Sequence, residues 1–510
     1  MQDTILIIDF GSQYTQLIAR RVRELYVYSE VYPWDKCPQN LKNYKGVILS
    51  GSSFLLADEK APTRNVLGMV KDLPLLGIGY GASLLLSLSG GKVIPAGKRD
   101  YKKDIIEKID QQNPLFKNVS KNTRAWMSLG EKIKQLPASF ETIAESQDDN
   151  IVGFCNKEKD IYGILFHPEV FHTEKGKTII QNFVTGISGC KQNWSPKVFV
   201  NSTIQELKNQ LGDDRVILGL SGGVDSSVAA VLLNKAIGSN LHCIFVNHGL
   251  LRKNEYESVL ESYKGMGLNV KGVDASERFL NELTGITDPE KKRKIIGKVF
   301  VDVFDDESKL VENAKWLGQG TIYPDIIESV GIDGTSNKPI KSHHNVGGLP
   351  DYMKLKVVEP LKLLFKDEVR KVGEELGIDS NIVGRHPFPG PGLGIRILGE
   401  VTKERVKILQ EADALFVNTL LDNNLYDKIW QAGAILLPVN TVGVSGGERT
   451  YENAVALRAV TSIDGMTADW YPIPYELLKE VSNKIIKHVD GVNRVTFDIS
   501  SKPPATIEWE

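Results

Sequence analysis

Seven consecutive residues carry the strongest chemical signal in the sequence: Ser221-Gly222-Gly223-Val224-Asp225-Ser226-Ser227. A strand pattern, Arg215–Leu220, precedes them, and a helical pattern, Val228–Ile237, follows. Two glycines allow a tight turn that brings backbone N–H groups close to an anion. The start of a helix adds oriented donors and the positive end of its dipole, and the serine hydroxyls can donate to phosphate oxygens. The pattern therefore predicts a phosphate-binding loop.

Asp225 is unusual in such a loop because its carboxylate repels an anion. Its position is explained if Mg²⁺ bridges the carboxylate to the phosphate oxygens. The loop lacks the lysine of the Gly-x-x-x-x-Gly-Lys motif, so it is a different type of phosphate loop. The alternative is a tight turn in which serine or aspartate caps the helix. That alternative explains Asp225 or Ser226, but not two glycines together with three serines.

Alternating apolar strands and amphipathic helices precede and surround this loop. Thr4–Asp9, Tyr44–Ser50 and Leu73–Ile78 are strand patterns in the first part of the chain, and Leu241–Asn247 follows the loop. Such units build doubly wound parallel sheets. We predict an α/β protein of two doubly wound parallel-sheet domains, residues 1–188 and 189–385. A Pro/Gly-dense stretch then opens a smaller α+β domain, residues 386–510.

Composition and charge restrict the classes of function. The 510 residues suggest about three domains, and the formal net charge of −2 indicates no nucleic-acid partner. No apolar run approaches the length of a membrane span, and residues 1–9 are typical of a strand rather than a signal peptide. The four cysteines are scattered, without the spacing of a zinc site or a disulfide framework. We expect a cytoplasmic protein.

The chain from about residue 192 to 510 resembles the GMP synthetases, and its loop resembles that of the N-type ATP pyrophosphatases. Long matching stretches occur in one order, and examples are KKRKIIGKVF (291–300), IKSHHNVGGLP (340–350), RHPFPGPGLGIR (385–396) and GVNRVTFDISSKPPATIEWE (491–510). The resemblance implies that ATP transfers AMP to the C2 oxygen of XMP and that ammonia then displaces AMP, giving GMP. It also implies ATP and Mg²⁺ as cofactors and a homodimer formed by residues 386–510.

The resemblance also assigns residues to these steps. The loop residues 221–227 would bind ATP, with Asp225 as the Mg²⁺ ligand. Lys341, His343 and His344 match a mobile lid and would stabilise charge on the α-phosphoryl group. A solvated loop is the alternative, more readily accepted for either histidine than for Lys341.

By the same resemblance, XMP would be bound by Arg293, Pro389, Gly390, Lys502 and Glu508. Lys502 would contact the phosphate, and Glu508 the ribose or base. For Glu508 the alternative is a solvated carboxylate near the end of the sequence. Proline-rich sequence followed by a tryptophan between glutamates nevertheless favours a docked tail.

Residues 1 to about 188 resemble a class I glutamine amidotransferase, in particular over DFGSQYTQLIARRVREL (9–25) and FHPEVFH (166–172). That family has a cysteine nucleophile in a Gly-Ile-Cys-Tyr-Gly elbow, whereas this chain has Gly77-Ile78-Gly79-Tyr80-Gly81. Gly79 cannot form a thioester with glutamine. His167 and Glu169 remain as the base and its orienting carboxylate. The resemblance therefore predicts a degenerate glutaminase site.

Other family motifs around that site also differ. Where the family has Ser-Gly-Gly-Pro, residues 50–53 of this chain are Ser-Gly-Ser-Ser. Where it has Met-Ser-His-Gly-Asp, residues 127–131 are Met-Ser-Leu-Gly-Glu, and where it has Tyr-Gly-Arg-Ala, residues 101–104 are Tyr-Lys-Lys-Asp. No cysteine stands in the elbow to replace the lost one. We therefore predict amination with free ammonia or with ammonia from a separate glutaminase. We favour a retained structural role for the first domain over a glutamine-binding, regulatory one.

Two other functions stay open at this point. One is a paralogue that adenylates another purine-like oxygen, for which Asn247 (where the family often has Asp) and Gly394 leave room. The other is a non-catalytic, nucleotide-binding pseudoenzyme. The near-complete tail and lid argue against the paralogue, and the intact 221–227 loop and Lys341 argue against the pseudoenzyme.

Overall fold

The computed structural model describes residues 3–70, 72–96, 101–128, 130–325, 355–462 and 467–510. This part of the chain forms two compact units, one within Met1–Phe199 and the other within Val200–Ser329 and Lys338–Glu510. Among the described residues, none of the helices is both long enough and apolar enough to span a bilayer.

A mixed nine-stranded sheet and a separate two-stranded ribbon, β5–β8, organise the first unit. The strands are β1 Thr4–Asp9, β2 Tyr28–Pro33, β3 Tyr44–Leu49, β4 Leu75–Ile78, β5 Lys92–Pro95, β6 Tyr101–Ile109, β7 Thr123–Ser128, β8 Glu131–Gln135, β9 Glu141–Ser146, β10 Ile151–Asn156 and β11 Ile161–Ile164. The order in the large sheet is β2-β1-β3-β4-β11-β10-β9-β6-β7. Neighbours from β2 to β11 are parallel, and those from β11 to β7 are antiparallel. The α/β class is thus confirmed, with an antiparallel extension that the strand–helix pattern did not indicate.

Helices pack on this sheet through apolar faces. Helix Thr15–Arg23 buries Ile18, Ala19 and Val22, which recur at helical spacing, and ends in three arginines that suit the negative end of its dipole. The other helices of the unit are Val66–Met69, Tyr80–Leu88 and Gly176–Gln181, the last continuing as a π-helical turn, Asn182–Ile187, with short 3₁₀ turns at Pro114–Phe116 and Lys157–Lys159.

The second unit begins with a five-stranded, all-parallel sheet. Its strands are β12 Arg215–Leu220, β13 Leu241–Asn247, β14 Val270–Asp274, β15 Ala314–Gly318 and β16 Lys356–Val358, in the order β14-β13-β12-β15-β16. Helices Val224–Ile237, Glu255–Lys264, Ser276–Leu283 and Pro289–Ser308 lie between these strands. Helices Lys366–Glu375 and Ser380–Val383 follow the last strand, and helix Pro196–Leu211 precedes the first. The helix predicted from residue 228 starts at Val224, inside the phosphate loop.

The rest of the second unit is α+β, as predicted. The long hairpin of β17 Gln431–Ser445 and β18 Glu448–Thr461 pairs with β19 Asp469–Trp470 and, in parallel, with β20 Val492–Phe497. Helices Lys403–Asp422 and Tyr475–His488 cover this sheet. Their core is continuous with that of the parallel sheet, because one buried cluster includes Ile217, Ile296, Leu393, Leu409 and Leu457. The boundary at 385/386 therefore stays a prediction.

Candidate functional site

A sharp strand-to-helix turn lies at Gly79 in the first unit. Gly79 follows β4 and precedes helix Tyr80–Leu88, with φ +54° and ψ −117°. Glycine adopts this region without a steric penalty, whereas a residue with a Cβ is strained there. A Cβ on Gly77 or on Gly81 would lie within 2.7 Å of neighbouring backbone atoms. The three glycines thus permit a tight nucleophile-type elbow, but the elbow presents no side chain.

The sheet register brings a histidine to this elbow. Ile164 of β11 pairs with Ile78, and Gly79 N donates to Ile164 O at 2.8 Å. The chain leaving β11 then places His167 so that a Cβ built on Gly79 would lie 3.3 Å from His167 Nε2. A side chain at position 79 would therefore meet the imidazole directly.

His167 and Glu169 form a buried pair at 2.7 Å between Nδ1 and Oε1, with side chains 2% and 0% exposed. Arg21 Nε donates to Glu169 O at 3.0 Å, and Thr173 Oγ1 donates to His167 O at 2.6 Å. The carboxylate fixes the orientation of the imidazole, as in catalytic triads. Base and orienter are in place, and the position that they would activate is occupied by glycine.

The segments around the elbow, which differ from the amidotransferase motifs, contact one another. Leu56 N donates to Glu131 Oε1 at 2.6 Å, and a Cβ on Gly130 would lie 2.6 Å from a methyl group of Leu55. Ser52 Oγ accepts from the N–H of the residue two positions later. Leu129 lies outside the described residues. These contacts join the segment that follows residues 50–53 to residues 130–131.

No other thiol can act at the elbow. All four cysteines, Cys37, Cys155, Cys190 and Cys243, are free and buried. Burial raises the pKa of Cys155, Cys190 and Cys243 to about 12 and also raises that of Cys37. Because the thiolate is the nucleophile, these cysteines are unreactive at neutral pH.

The phosphate loop of the second unit has the geometry expected of an anion site. Gly222 has φ +73°, and Gly223 is the N-cap of helix Val224–Ile237. No side chain caps this helix start, so the capping alternative is not what the structure has. Ser226 Oγ and Ser227 Oγ donate to Gly223 O at 3.1 and 2.8 Å. Since no side chain caps them, the first N–H groups of the helix face the loop, an arrangement that favours an anion.

Two cations border this loop. Lys366 Nζ forms an ion pair with Asp225 Oδ2. Arg385 donates to Gly222 O at 3.0 Å and to Glu255 Oε1 at 2.6 Å. Sequence reasoning missed both residues, since they lie 141 and 163 positions away from their loop partners. Both stand in stretches that carry the resemblance, 359–370 and 385–396, but no local spacing linked them to the loop.

The Pro-Gly loop joins the two sheets of the second unit. Gly392 has φ +60°, and a Cβ there would lie 2.3 Å from Leu250 O, so a glycine is required at this contact. Leu393 N donates to Leu250 O at 2.8 Å. Pro389 O accepts from Gly392 N at 2.9 Å, and Gly390 has open space around its Cα. The predicted XMP-binding residues Pro389 and Gly390 thus lie on a loop anchored beside β13.

Glu508 is docked rather than solvated. Its side chain is 18% exposed and accepts two hydrogen bonds from the buried Arg396, at 2.9 and 2.8 Å. Gln431 Nε2 also donates to it, and Asp413 lies on the other side of Arg396. The solvated-carboxylate alternative is therefore wrong. A small pocket opens beside this group, lined by Arg396, Gln431, Ala432, Gly433, Ile435, Arg458, Val460, Ile507 and Glu508.

The other residues singled out from the sequence differ in what the structure shows of them. Arg293 donates to the main-chain oxygen of Glu510, two residues beyond Glu508. Lys502 pairs through its backbone with Ala468. Lys341, His343 and His344 lie outside the described residues. Asn247 Oδ1 accepts from Gly249 N at 2.9 Å, which closes a turn at the end of β13 beside the phosphate loop.

Comparisons with known proteins agree with this arrangement. Family models match for class-I glutamine amidotransferase over residues 6–187, for NAD synthase over 197–293 and for the GMP synthase C terminal domain over 418–509. The chain is 60% identical to a GMP synthase (glutamine-hydrolyzing) of Flavobacterium psychrophilum, 58% to one of Christiangramia forsetii and 59% to one of Bacteroides fragilis, each over the whole of both chains. The crystal structure of a putative GMP synthase subunit from Thermoplasma acidophilum matches with 29% identity and a TM-score of 0.34, covering 37% of this chain and 95% of that one.

Proposed function

Because the chain belongs to the GMP synthase family, we propose that it aminates XMP to GMP at the expense of ATP, with ammonia rather than glutamine as the nitrogen donor. The observation that carries the second part is Gly79, which occupies the elbow position against the otherwise complete pair of His167 and Glu169.

The activating half-reaction is assigned to the loop 221–227. The C2 oxygen of XMP attacks the α-phosphorus of ATP, and the bond to the β-phosphate oxygen breaks, releasing pyrophosphate. First-turn N–H groups and the hydroxyl of Ser221 would hold the leaving pyrophosphate, while the hydroxyls of Ser226 and Ser227 shape the loop by donating to Gly223 O. Ammonia then adds to C2 of adenyl-XMP, and AMP departs with the former C2 oxygen. Lys341, His343 and His344 stay our proposal for charge stabilisation at the α-phosphoryl group.

Mg²⁺ fits beside Asp225. Asp225 Oδ1 is buried and has no hydrogen-bond partner among the described residues, and carboxylate oxygens are ligands that Mg²⁺ prefers. Bound there, the ion would neutralise charge on the leaving pyrophosphate. Lys366, paired with the other carboxylate oxygen, holds Asp225 in place.

XMP is assigned to the surroundings of Glu508 in the tail. The docked position of Glu508 and the small pocket beside it, which is lined by Arg396, the tail and residues of β17 and β18, support this assignment. Pro389, Gly390 and Arg293 would complete the site, with Lys502 as a contact for the phosphate group. Arg396, which binds Glu508 through two hydrogen bonds, would hold this carboxylate in one orientation toward the ribose or base.

The glutaminase reaction is assigned no role in this chain. Removing the nucleophile of a catalytic triad costs about a millionfold in rate, and burial keeps the four cysteines protonated. A separate glutaminase could supply the ammonia. The first unit then serves as a structural domain.

A homodimer is proposed through the C-terminal α+β region. Val442, Val444 and Tyr451 are 52%, 77% and 66% exposed. Val442 pairs with Tyr451 across the hairpin, so these side chains share one face. An exposed apolar face of this kind supports an interface. Light scattering should give twice the mass of one chain for the wild type, and Val444→Asp should shift the distribution toward one chain.

The test of the proposed function measures pyrophosphate and GMP from purified protein with ATP, Mg²⁺ and XMP. Ammonium should support GMP formation, whereas glutamine, in ammonia-free buffer, should yield neither GMP nor glutamate. The variant Asp225→Asn is the matched control, since it should lower both signals about 100-fold or more. Pyrophosphate release without GMP would mean that XMP is adenylated but not aminated by ammonia. No ATP consumption with XMP would favour another purine-like substrate if that substrate supports pyrophosphate release in place of XMP, and a non-catalytic role if it does not. Each of these results would overturn the proposal.

A further inference from the structure

A buried lysine holds the carboxylate of Glu510 inside the second unit. Lys292 Nζ lies 2.5 Å from Glu510 Oε2, with the two side chains 0% and 8% exposed. The same ammonium donates to Ile397 O at 2.6 Å and to Gly394 O at 3.4 Å. Gly399 N donates to Glu510 Oε1 at 3.3 Å. All three N–H donors of the lysine are therefore used.

This arrangement has a cost that fold stability alone does not explain. Taking an ammonium out of water costs several kcal/mol, and a packed apolar pair of similar volume is often at least as stable. Burial lowers the pKa of Lys292 below its ordinary value, and Glu510 opposes that shift. A charged pair at this place needs an explanation other than stability, such as the fixing of one specific conformation.

The tail around Glu510 is anchored residue by residue. Glu508 accepts the bidentate contact from Arg396, and the indole N–H of Trp509 donates to Asp498 Oδ2 at 2.9 Å. Since two residues span at most about 7 Å of extended chain, the position of Glu510 restricts the position of Glu508. The anchor at Glu510 thus acts on the side chain that the proposed function assigns to XMP.

We propose that Lys292 is a positioning residue for the XMP site. By holding Glu510, it fixes residues 508–510 so that Glu508 presents its carboxylate in one orientation, without itself touching the substrate. The inference rests on the proposed function, which places XMP against Glu508. It requires that loss of the Lys292–Glu510 contact weakens XMP binding selectively, because the ATP loop at 221–227 is built from other elements.

The test compares Glu510→Gln, Lys292→Met and the double variant in the ammonium-supported reaction. The KM for XMP should rise about 10-fold, since a displacement of about 1 Å at a substrate contact has effects of this order or larger. The kcat at saturating XMP and the KM for ATP should stay within about twofold. The double variant should resemble the single ones, because all three break one contact.

Glu277→Gln is the matched control. It removes an exposed glutamate–lysine pair with Lys403, whose side chains are 67% and 65% exposed, and should leave both KM values unchanged. An unchanged KM for XMP in folded Glu510→Gln, or an equal rise in the KM for ATP, would overturn the positioning role alone. A wild type that makes no GMP from XMP and ammonium would overturn the proposed function, and the positioning role with it.

Discussion

Placing a thiol at position 79 is the sharpest test of the proposal that this chain does not hydrolyse glutamine. In Gly79→Cys the new Cβ would lie 3.2 Å from His167 Cε1 and 3.3 Å from Nε2. It would also adopt φ +54°, a region that costs a non-glycine residue about 1–3 kcal/mol. We expect the free energy of unfolding to fall by about that amount, and equally in Gly79→Ala, which adds the Cβ without the thiol.

The new cysteine should be reactive and yet not catalytic. Its sulfur would stand within reach of the imidazole that Glu169 orients, so its thiolate should form readily. A single missing oxyanion donor costs about 100- to 1,000-fold, and here the amidotransferase motifs at 50–53, 101–104 and 127–131 are all altered. Glutamine-supported GMP formation by Gly79→Cys should therefore stay at least about 1,000-fold below the ammonium-supported rate.

The assay follows iodoacetamide labelling by intact mass and, separately, glutamate and GMP formation. Labelling should be faster in Gly79→Cys than in Gly79→Ala, which retains only the four buried cysteines. Glutamine turnover within about tenfold of the ammonium rate would refute the argument that the surroundings of the elbow are lost. Equal labelling of the two variants would refute the geometry of the elbow itself.

Three further changes probe the second unit. Asp225→Asn should lower pyrophosphate release about 100-fold or more at saturating Mg²⁺ while leaving the melting temperature nearly unchanged, because the carboxylate supports transition-state charge rather than packing. Gly392→Ala should lower the free energy of unfolding by about 2 kcal/mol or more in urea titrations, since its Cβ meets a carbonyl oxygen at positive φ. Burial lowers the pKa of His248 to about 4, so this histidine takes up a proton in the unfolded chain, near pH 6.5, before it does so in the folded protein. The free energy of unfolding should therefore fall by about 2 kcal/mol between neutral pH and pH 5. The fall should be smaller in His248→Asn.

The phosphate loop and the altered elbow could be predicted from sequence because each is a local object. Seven residues between a strand and a helix determine the loop, and five residues between β4 and the next helix determine the elbow. The spacing of apolar residues could not predict that the helix starts at Val224 rather than at residue 228. The first turn contains Asp225, Ser226 and Ser227, which break the apolar pattern, although their N–H groups are the anion site.

The cations of the site were beyond sequence reasoning for a physical reason. Lys366 reaches Asp225 and Arg385 reaches Gly222 only because the fold brings the segments after the last strand of the parallel sheet back to the loop. No spacing rule joins residues so far apart. The docking of Glu508 was similarly undetermined, since its partner Arg396 lies 112 residues earlier. The tail's composition favoured docking but could not name the partner.

The conformation of Gly79 gives the proposed loss of glutaminase chemistry a measurable energetic side. A residue with a Cβ at position 79 would be held at positive φ by the strand and helix on either side, and the surrounding structure would have to compensate for the strain. Glycine avoids that strain while the backbone path, the Gly79 N–Ile164 O hydrogen bond and the buried His167–Glu169 pair stay in place. We therefore expect any side chain at position 79 to lower the free energy of unfolding whether or not it carries a thiol, which is what Gly79→Cys and Gly79→Ala together measure.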